Sequence, residues 1–571
     1  MEIPFPESSQ LILDDCRRLT GPSLVWDKSG AILDILVEDL DMDRVLDCWY
    51  RHVHVLLAQL DCGEPALTHR RFENGFNLLI EAPVDQLYSA VLCLETAWYF
   101  CACELLQVEP RDTSALLEAL REAMQEEANP ALIELQLAAD AHQVDFLVDD
   151  EILSLGRGAG SVSWDIEKIP GPDEINWDPV EDVPVALITG TNGKSTSVRL
   201  LDAIARAANQ VSGVTSTDFV RVGDDVLDRG DYSGPGGARL LLRDKRLQVA
   251  FLEVARGGIL RRGLPIKRAT AALVTNIARD HLGQYGVNTL EALTAVKLVV
   301  RKTLAEDAVL VLNADDGEIV NYLDRIEVGE LCWFSLDKNN PLVQQQQARN
   351  GRCCFADAGE IVYYDGQQTH RVCPISDIPM TIDGAALHNV CNVLGVVGIA
   401  TAMDYSLDQI RQGLLSFHSD ALDNPGRLNI FKLANGARVI VDFAHNAHSV
   451  EAVVDTVRRM PARKQWAMFG SAGDRSDDEI AAIATGVCAL QPDNVVIIEI
   501  EKYLRGRAPG EVSELLRQAC LDSGLKPEQM HFAESPLAGT LHTLTQLLAG
   551  DVALLLVLDQ RDEIFEVIGE I

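Results

Sequence analysis

Long apolar runs are missing from this chain. None reaches the roughly 18 residues that a membrane-spanning helix needs, and the opening residues Met1-Glu-Ile-Pro-Phe-Pro-Glu7 lack the basic and apolar regions of a secretory leader. The expectation is a cytoplasmic protein with no membrane partner. Positive charge is scarce: 49 Lys and Arg stand against 86 Asp and Glu, a formal net charge of −37. That balance argues against a nucleic-acid partner, which needs a basic face. A site for an anionic ligand would have to gather its Arg and Lys as a local exception. Paired Cys-x-x-Cys knuckles are absent although the chain has 13 cysteines, so no zinc site is expected and reduced core thiols are. The chain's length and the missing leader argue against a disulfide framework. Aromatics reach only 6%. No internal repeat is evident, and Gln344–Gln347 is too short to count as low complexity.

What is present divides into parts, since 571 residues are too many for one core and imply about three or four domains. The first part reads as α+β. A strand is expected at Ala31–Leu40, a long, mostly apolar helix at Gln86–Leu106, and a helix at Ser114–Met124 with Leu116, Leu117, Leu120 and Met124 on one face. Another helix should start at Asn129-Pro130, a capping residue before a proline suited to a first turn. The apolar helix suits core packing or, as a rival, a homo-oligomer contact. Leu155-Gly-Arg-Gly-Ala-Gly-Ser161 and Pro170-Gly-Pro172 read as a connector. From Val183 short apolar runs alternate with helical segments. Val185–Thr189, Val249–Glu253, Ala271–Asn276 and Val309–Asn313 have the look of buried parallel strands that end in polar residues. Ligands of open α/β sheets sit beyond such ends. After about Leu422 the alternation resumes at Val439–Asp442, Trp466–Gly470, Val495–Glu499 and Val552–Leu558. The fold class is therefore α/β: an N-terminal α+β domain over 1–165, a P-loop central domain with a mostly parallel sheet over 176–422, and a Rossmann-like C-terminal domain over 423–571.

The strongest local signal is Leu187-Ile-Thr-Gly-Thr-Asn-Gly-Lys-Ser-Thr196, which follows a strand and opens a helix with Val198, Leu201, Ile204 and Ala205 on its apolar face. Gly190 and Gly193 let the backbone curl so that the N–H groups of Thr191, Asn192 and their neighbours surround phosphate oxygens, with the helix N-terminus adding partial positive charge. Lys194 would reach the β/γ-phosphates and the Ser195 hydroxyl would bind Mg²⁺. A longer form of the motif has a glycine where this chain has Ile188, and a tight turn with no ligand is the alternative. Glu253 closes the second strand, where a carboxylate can hold the metal or simply be a solvated strand-end acid. His281 follows the third strand as a metal ligand or an ordinary loop residue. Lys297 sits on an apolar helix, where a lysine snorkelling to solvent is the commoner case.

Together these residues resemble the Mur ligase family. Gly-Thr-Asn-Gly-Lys-Ser195, the Glu253 strand, Thr275-Asn-Ile-Ala-Arg-Asp-His-Leu282, Lys297, Asn313-Ala-Asp-Asp316, Arg427 and Asp442-Phe-Ala-His445 follow the family's order. Further stretches are similar to the Mur-ligase-like C-terminal half of the cyanophycin synthetases: Thr215-Ser-Thr-Asp218, Gly230-Asp-Tyr-Ser-Gly-Pro235, Ala255-Arg-Gly-Gly-Ile-Leu-Arg-Arg-Gly263, Asn424-Pro-Gly-Arg-Leu428, Gly473-Asp-Arg475 and Leu504-Arg-Gly-Arg507. The resemblance runs from about Pro184 to the C-terminus, and Gly21-Pro22 faintly resembles the N-terminal domain of the same enzymes.

The resemblance implies a phosphate loop at Gly190–Thr196, and Mg²⁺ held by Ser195, Glu253 and His281. Lys297 matches a lysine that many of these enzymes carbamylate. Asn313 and Asp316 would lie near the adenosine of ATP, while Arg427 and Asp442 would reach its phosphates and ribose. Thr215, Thr217, Ser233, Arg261, Arg262, His445, Asn446 and Arg507 are implied for the substrates, a small acidic carboxylate and an amino acid or amine. The implied activity is ATP-dependent amide or isopeptide ligation through an acyl-phosphate, with release of ADP and phosphate. The rivals are a ligase that extends a polymer or dipeptide, and a nucleotide-binding scaffold without turnover. Two departures stand out. Only about thirty residues separate Gly160 from Gly190, where cyanophycin synthetases carry an ATP-grasp domain and a domain needs at least ~50. Ala447 replaces a usual proline, and Glu501-Lys-Tyr503 a more acidic run, near the expected amino-acid site.

Overall fold

A computed structural model describes residues 3–111, 113–327 and 329–569; Met1, Glu2, Asp112, Val328, Glu570 and Ile571 lie outside it. Strands β1 (Leu11–Leu19), β2 (Gly30–Val37), β3 (Leu67–Phe72) and β4 (Gly75–Glu81) make an antiparallel sheet ordered β1-β2-β4-β3. The strand expected at Ala31–Leu40 is β2, which ends at Val37 before an exposed turn. Helix α1 (Met42–Gln59) starts where the Asp41 carboxylate accepts the backbone N–H groups of Asp43 and Arg44. Its stripe of Val45, Trp49, Val53 and Leu56 is buried.

Helix α2 (Leu87–Leu106) corrects one expectation: by length and composition it could cross a bilayer. It lies instead in the core, with Leu94, Ala97, Trp98 and Cys101 buried among α1 and sheet residues, which favours core packing over an oligomer contact. Helices α3 (Thr113–Glu127) and α4 (Pro130–Ala141) follow, the latter capped by Asn129 as its sequence indicates.

The glycine-rich connector is folded. Strands β5 (Phe146–Val148), β6 (Ile152–Leu155) and β7 (Val162–Asp165) form a small meander. At Gly158, with φ +60°, a Cβ would lie 2.6 Å from the Leu247 carbonyl oxygen. Arg157 pairs with buried Asp145 (3.3 Å) and with Asp182 (3.5 Å). The glycines therefore mark close packing on the next sheet, and the chain runs on into β8 through two short 3-10 turns.

The second sheet has 11 strands: β8 (Val185–Thr189), β9 (Ser212–Thr215), β10 (Phe219–Val222), β11 (Asp225–Arg229), β12 (Val249–Glu253), β13 (Ala269–Val274), β14 (Leu304–Asn313), β15 (Glu330–Ser335), β16 (Cys353–Asp357), β17 (Glu360–Tyr364) and β18 (Thr369–Pro374). Its order is β11-β10-β9-β12-β8-β13-β14-β15-β16-β17-β18, parallel from β9 to β16 and antiparallel at both edges. Helices α5 (Lys194–Ala207), α6 (Pro235–Leu242), α7 (Arg256–Arg262), α8 (Leu290–Lys297), α9 (Gly317–Asn321), α10 (Pro341–Ala348), α11 (Leu387–Ala402) and α12 (Leu407–Ser416) connect or cover it. Register aligns the strand ends: Glu253 pairs with Ile188, and Val274 with Thr189. Three chain segments therefore turn at one edge, beside central strand β8.

The third sheet, β19 (Asn429–Lys432), β20 (Arg438–Asp442), β21 (Gln465–Phe469), β22 (Asn494–Ile498), β23 (Met530–Ala533) and β24 (Val552–Leu556), is ordered β19-β20-β24-β21-β22-β23 and parallel except at β19. It carries α13 (Ala447–Arg458), α14 (Asp477–Cys488), α15 (Glu511–Asp522), α16 (Pro536–Gln546) and α17 (Arg561–Gly569). All 13 cysteines are unbridged and ten are buried. Burial pushes Cys93, Cys353 and Cys373 up to about 12. Cys48 differs: hydrogen bonds with Cys101 and His52 bring its thiol down to about 5.

Candidate active site

Between β8 and α5 the chain turns through Gly190 (φ +143°) and Gly193 (φ +86°). A Cβ at Gly190 would lie 1.8 Å from Thr275 Oγ1, and one at Gly193 would lie 2.2 Å from Asn392 Oδ1, so only glycine fits. The loop is braced by the end of β13. Thr275 Oγ1 donates to the Asn192 carbonyl (2.6 Å), Thr191 N–H to the Asn276 carbonyl (2.8 Å), and Asn192 N–H to Asn276 Oδ1 (3.0 Å). Lys194 Nζ donates to the Thr191 carbonyl at 2.9 Å, and the Thr196 hydroxyl accepts from Asn424 at 3.4 Å.

Glu253 is 2% exposed. One carboxylate oxygen, Oε2, accepts from the Ser195 hydroxyl at 2.8 Å and from the Thr217 N–H at 3.3 Å; Thr215 Oγ1 accepts the Glu253 N–H at 3.2 Å. The other, Oε1, is buried with no partner. An orphaned carboxylate oxygen beside a serine hydroxyl suits a hard divalent cation. His281 adopts a left-handed backbone (φ +50°). It approaches Asp280 at 3.9 Å and has no hydrogen bond to Ser195 or Glu253. Lys297 does not snorkel. It is 4% exposed, its Nζ donates to the Gly190 carbonyl at 2.7 Å, and burial followed by the nearby Lys194 charge holds its amine well below the usual lysine range.

A cavity of about 360 Å³ extends from this loop to the C-terminal sheet. Asn313 and Asp316 line it, but Asp316 is spent on structure: Oδ1 caps α9 and Oδ2 accepts the Ile277 N–H at 2.6 Å. Asn313 donates to the Thr275 carbonyl at 2.9 Å. Across the cavity, Arg427 stacks over Phe443 at 4.7 Å. Burial pushes Asp442 up to about 6, although the N–H groups of Leu428 and Ala444 both bond it at 2.7 Å. Burial likewise pulls His445 down to about 4. Asn446 caps α13 and exchanges hydrogen bonds with Asn192 at 3.1 and 3.3 Å.

Several lining groups carried no sequence signal. His388, Asn389 and Asn392 arrive from α11, far along the chain, and Asn392 faces Gly193. His388 Nδ1 is buried without a partner, and burial draws its imidazole down to about 4. The buried Arg199 binds Asp218, which also accepts from Arg561 of α17 at 2.8 Å. Arg199 reaches Asn424 at 3.1 Å, so this network ties the loop helix, the linker and the C-terminal sheet together. On the opposite side Arg475 spans to Asp280 at 3.3 Å. Thr215-Ser-Thr-Asp218 and Gly473-Asp-Arg475 hold the residues at both junctions.

The implied substrate residues divide. Thr217 lines the cavity and meets Ser195 at 3.3 Å, while Ser233 binds Asp231 at 2.6 Å. Arg507 is spent on its own loop, bonding Asp477, Glu511 and the Gly473 and Arg475 carbonyls, and so braces Arg475. Arg261 bonds the Tyr285 hydroxyl (2.8 Å), and Arg262 bonds backbone carbonyls. Arg256, which the resemblance gives no role of its own, donates to Gln284 at 2.6 Å and leaves Nη1 buried and unpartnered.

Residues 188–400 match the Mur ligase middle domain, and residues 426–556 the Mur ligase glutamate ligase domain. Cyanophycin synthetase of Crocosphaera subtropica is 35% identical over 346 residues, which are 61% of this chain and 39% of that protein. This chain thus spans well under half the length of such relatives. UDP-N-acetylmuramoyl-L-alanyl-D-glutamate--2,6-diaminopimelate ligase of Geobacillus kaustophilus is 22% identical over 64% of this chain and 75% of its own. The structure of E. coli FolC in complex with DHPP and ADP shares the fold, with a TM-score of 0.52 at 20% identity over 68% of this chain and 89% of that one. Through residues 188–400 and 426–556, which hold both the glycine loop and the facing wall of the cavity, the chain belongs to the Mur ligase family.

Proposed function

We propose that the cavity binds ATP with Mg²⁺ and joins a carboxylate to an amine, releasing ADP and phosphate. One observation carries this reading: Glu253, buried with a free oxygen, meets Ser195 at the mouth of a glycine loop that faces Arg427 across one cavity. Ser195 and Glu253 would hold the cation, with His281 reaching it after movement of its loop. The bound cation supplies charge neutralisation for the phosphoryl oxygens. Lys194 swings from the Thr191 carbonyl to the phosphates, and Arg427 neutralises them from the other side. A carboxylate oxygen attacks the γ-phosphorus and ADP leaves. The amine then attacks the acyl carbon, phosphate departs with the transferred oxygen, and the amine loses a proton. Closure of the central and C-terminal parts, taken as units 176–422 and 423–571, keeps water from the acyl-phosphate. Burial and the nearby Lys194 charge, which hold the Lys297 amine well below the usual lysine range, favour its carbamylation by CO₂.

The acidic substrate enters beside α7. Arg239, Arg256, Arg261 and Arg262 have no carboxylate partner among the described residues. Burial and then the charges of Arg243, Arg18 and Arg262 hold Arg239 below its usual range, and burial and Arg261 do the same, in part, for Arg256. Such a cluster on a protein of net charge −37 favours an acceptor with more than one carboxylate. The 35% identity to cyanophycin synthetase makes extension of a polymer or dipeptide the second reading, separated by product mass. The test is a matrix of mono-, di- and oligo-acids against amino acids, read by phosphate release. Carboxylate labelled with ¹⁸O must pass its label to phosphate; release without label ends the acyl-phosphate reading.

A further inference from the structure

Helices α1 and α2 pack side by side in the N-terminal part. Cys48 and His52 lie four residues apart on α1, so the thiol and imidazole share one face. Glu104 stands in the last turn of α2. One ligand atom from each lies within 4.8 Å of the other two, and among the described residues no other three His, Cys, Asp or Glu side chains meet this way. The trio grades from core to solvent: Cys48 is buried, His52 half-buried and Glu104 exposed. His52 Nε2 is 2.9 Å from Glu104 Oε2. Arg51 forks onto both Glu104 oxygens at 2.7 and 2.8 Å.

We infer that Cys48, His52 and Glu104 form a site for a zinc-class divalent ion, with water from the exposed side completing the ligand shell. Thiolate, imidazole and carboxylate form a donor set suited to zinc and too poor in oxygen for magnesium or calcium. On binding, Cys48 releases its thiol proton to solvent. The ion takes the place of the proton between His52 Nε2 and Glu104, which shifts to Nδ1 of a neutral ring or leaves to solvent from a doubly protonated one, so that the bound imidazole carries its single N–H on the nitrogen facing away from the ion. Arg51 keeps Glu104 oriented from outside the ligand shell. The ion ties α1 to α2, away from the cavity lined by Glu253 and Arg427. Its role is therefore to staple the N-terminal part. The Cys-x-x-x-His spacing, completed by a glutamate from another helix, is not the knuckle pattern whose absence argued against zinc. An Arg51–Glu104–His52 network without metal, which the Cys48 thiol joins by a hydrogen bond to His52, is the competing account, and it predicts no cobalt–sulfur band.

The test titrates Co²⁺ into the reduced 571-residue chain with excess Mg²⁺ present to occupy the Ser195–Glu253 site. Expected are one equivalent of Co²⁺, a sulfur-to-cobalt charge-transfer band, its loss on adding Zn²⁺, and a zinc-dependent rise in Tm. Cys48→Ser abolishes the band, and Glu104→Gln weakens zinc binding at least about tenfold with ATP affinity unchanged. Absence of the band in the wild-type chain overturns the proposal, as does a band that survives Cys48→Ser. Should Cys48→Ser fail to fold, Glu104→Gln and His52→Gln decide: wild-type zinc affinity in both overturns it.

Discussion

The two walls of the nucleotide cavity are built differently. The wall from the central sheet is braced within itself: Thr275, Asn276 and Thr191 bond the loop backbone, and Lys297 fastens Gly190 from below. The wall from the C-terminal sheet meets it through a few polar contacts, chiefly Asp218 with Arg561, Asp280 with Arg475, and Asn192 with Asn446 and His448. A braced wall can bind nucleotide before any closure. A wall joined by exchangeable polar contacts can deliver charge only when the parts come together. On the proposed function, affinity rests with the first wall and turnover with the second.

The largest expected effect tests the braced wall. Glu253→Gln should lower turnover by about 10³-fold, and should also weaken Mg²⁺-dependent ATP binding measured by calorimetry. Arg427→Ala comes next, lowering turnover by about 10²-fold while ADP affinity stays near wild type; equal losses in both would show that the walls act as one binding surface. Third is pH. Asp218, surrounded by Arg199, Arg427 and Arg561, sits at about 2 despite burial, against 3.8 for an ordinary aspartate. Its stabilisation is full above 3.8 and is lost as pH falls toward 2. Asp442 is raised to about 6, so it destabilises progressively as pH climbs from 3.8 to 6. Asp218 stabilises by roughly 2 kcal/mol and Asp442 destabilises by roughly 3 kcal/mol, and denaturant melts of Asp218→Asn and Asp442→Asn should remove slopes of opposite sign. The smallest effect belongs to Arg561→Ala, which leaves Asp218 paired with Arg199. A double-mutant cycle with Asp218→Asn should give a coupling of about 1 kcal/mol, and small-angle scattering should show a wider molecule. No coupling would remove Arg561 from the junction.

Strand ends and the loop were legible because their signals are local. Apolar runs that stop at Thr189, Glu253 and Asn313 announce buried strands, and the glycines of Gly190–Gly193 announce a backbone that side chains would block. Edge strands such as β11 and β18 escaped, since their exposed, mixed residues lack that contrast. The snorkelling alternative for Lys297 fails in the structure, because helix periodicity does not reveal what covers a face. Asp316 carried an implied ligand role, yet both its oxygens are occupied by backbone N–H groups.

The sequence by itself determined the α/β order, the glycine loop with Lys194 and Ser195, the acid at Glu253 and the kinship of residues 188–400 and 426–556 with the Mur ligases. All of these depend on neighbours along the chain or on their order in it. Tertiary structure alone decided that Asn392 faces Gly193, that Arg561 reaches Asp218 from 343 residues away, and that Glu104 comes beside Cys48 and His52. Contacts between distant segments depend on how whole sheets and helices pack, and no local pattern of residue types encodes them.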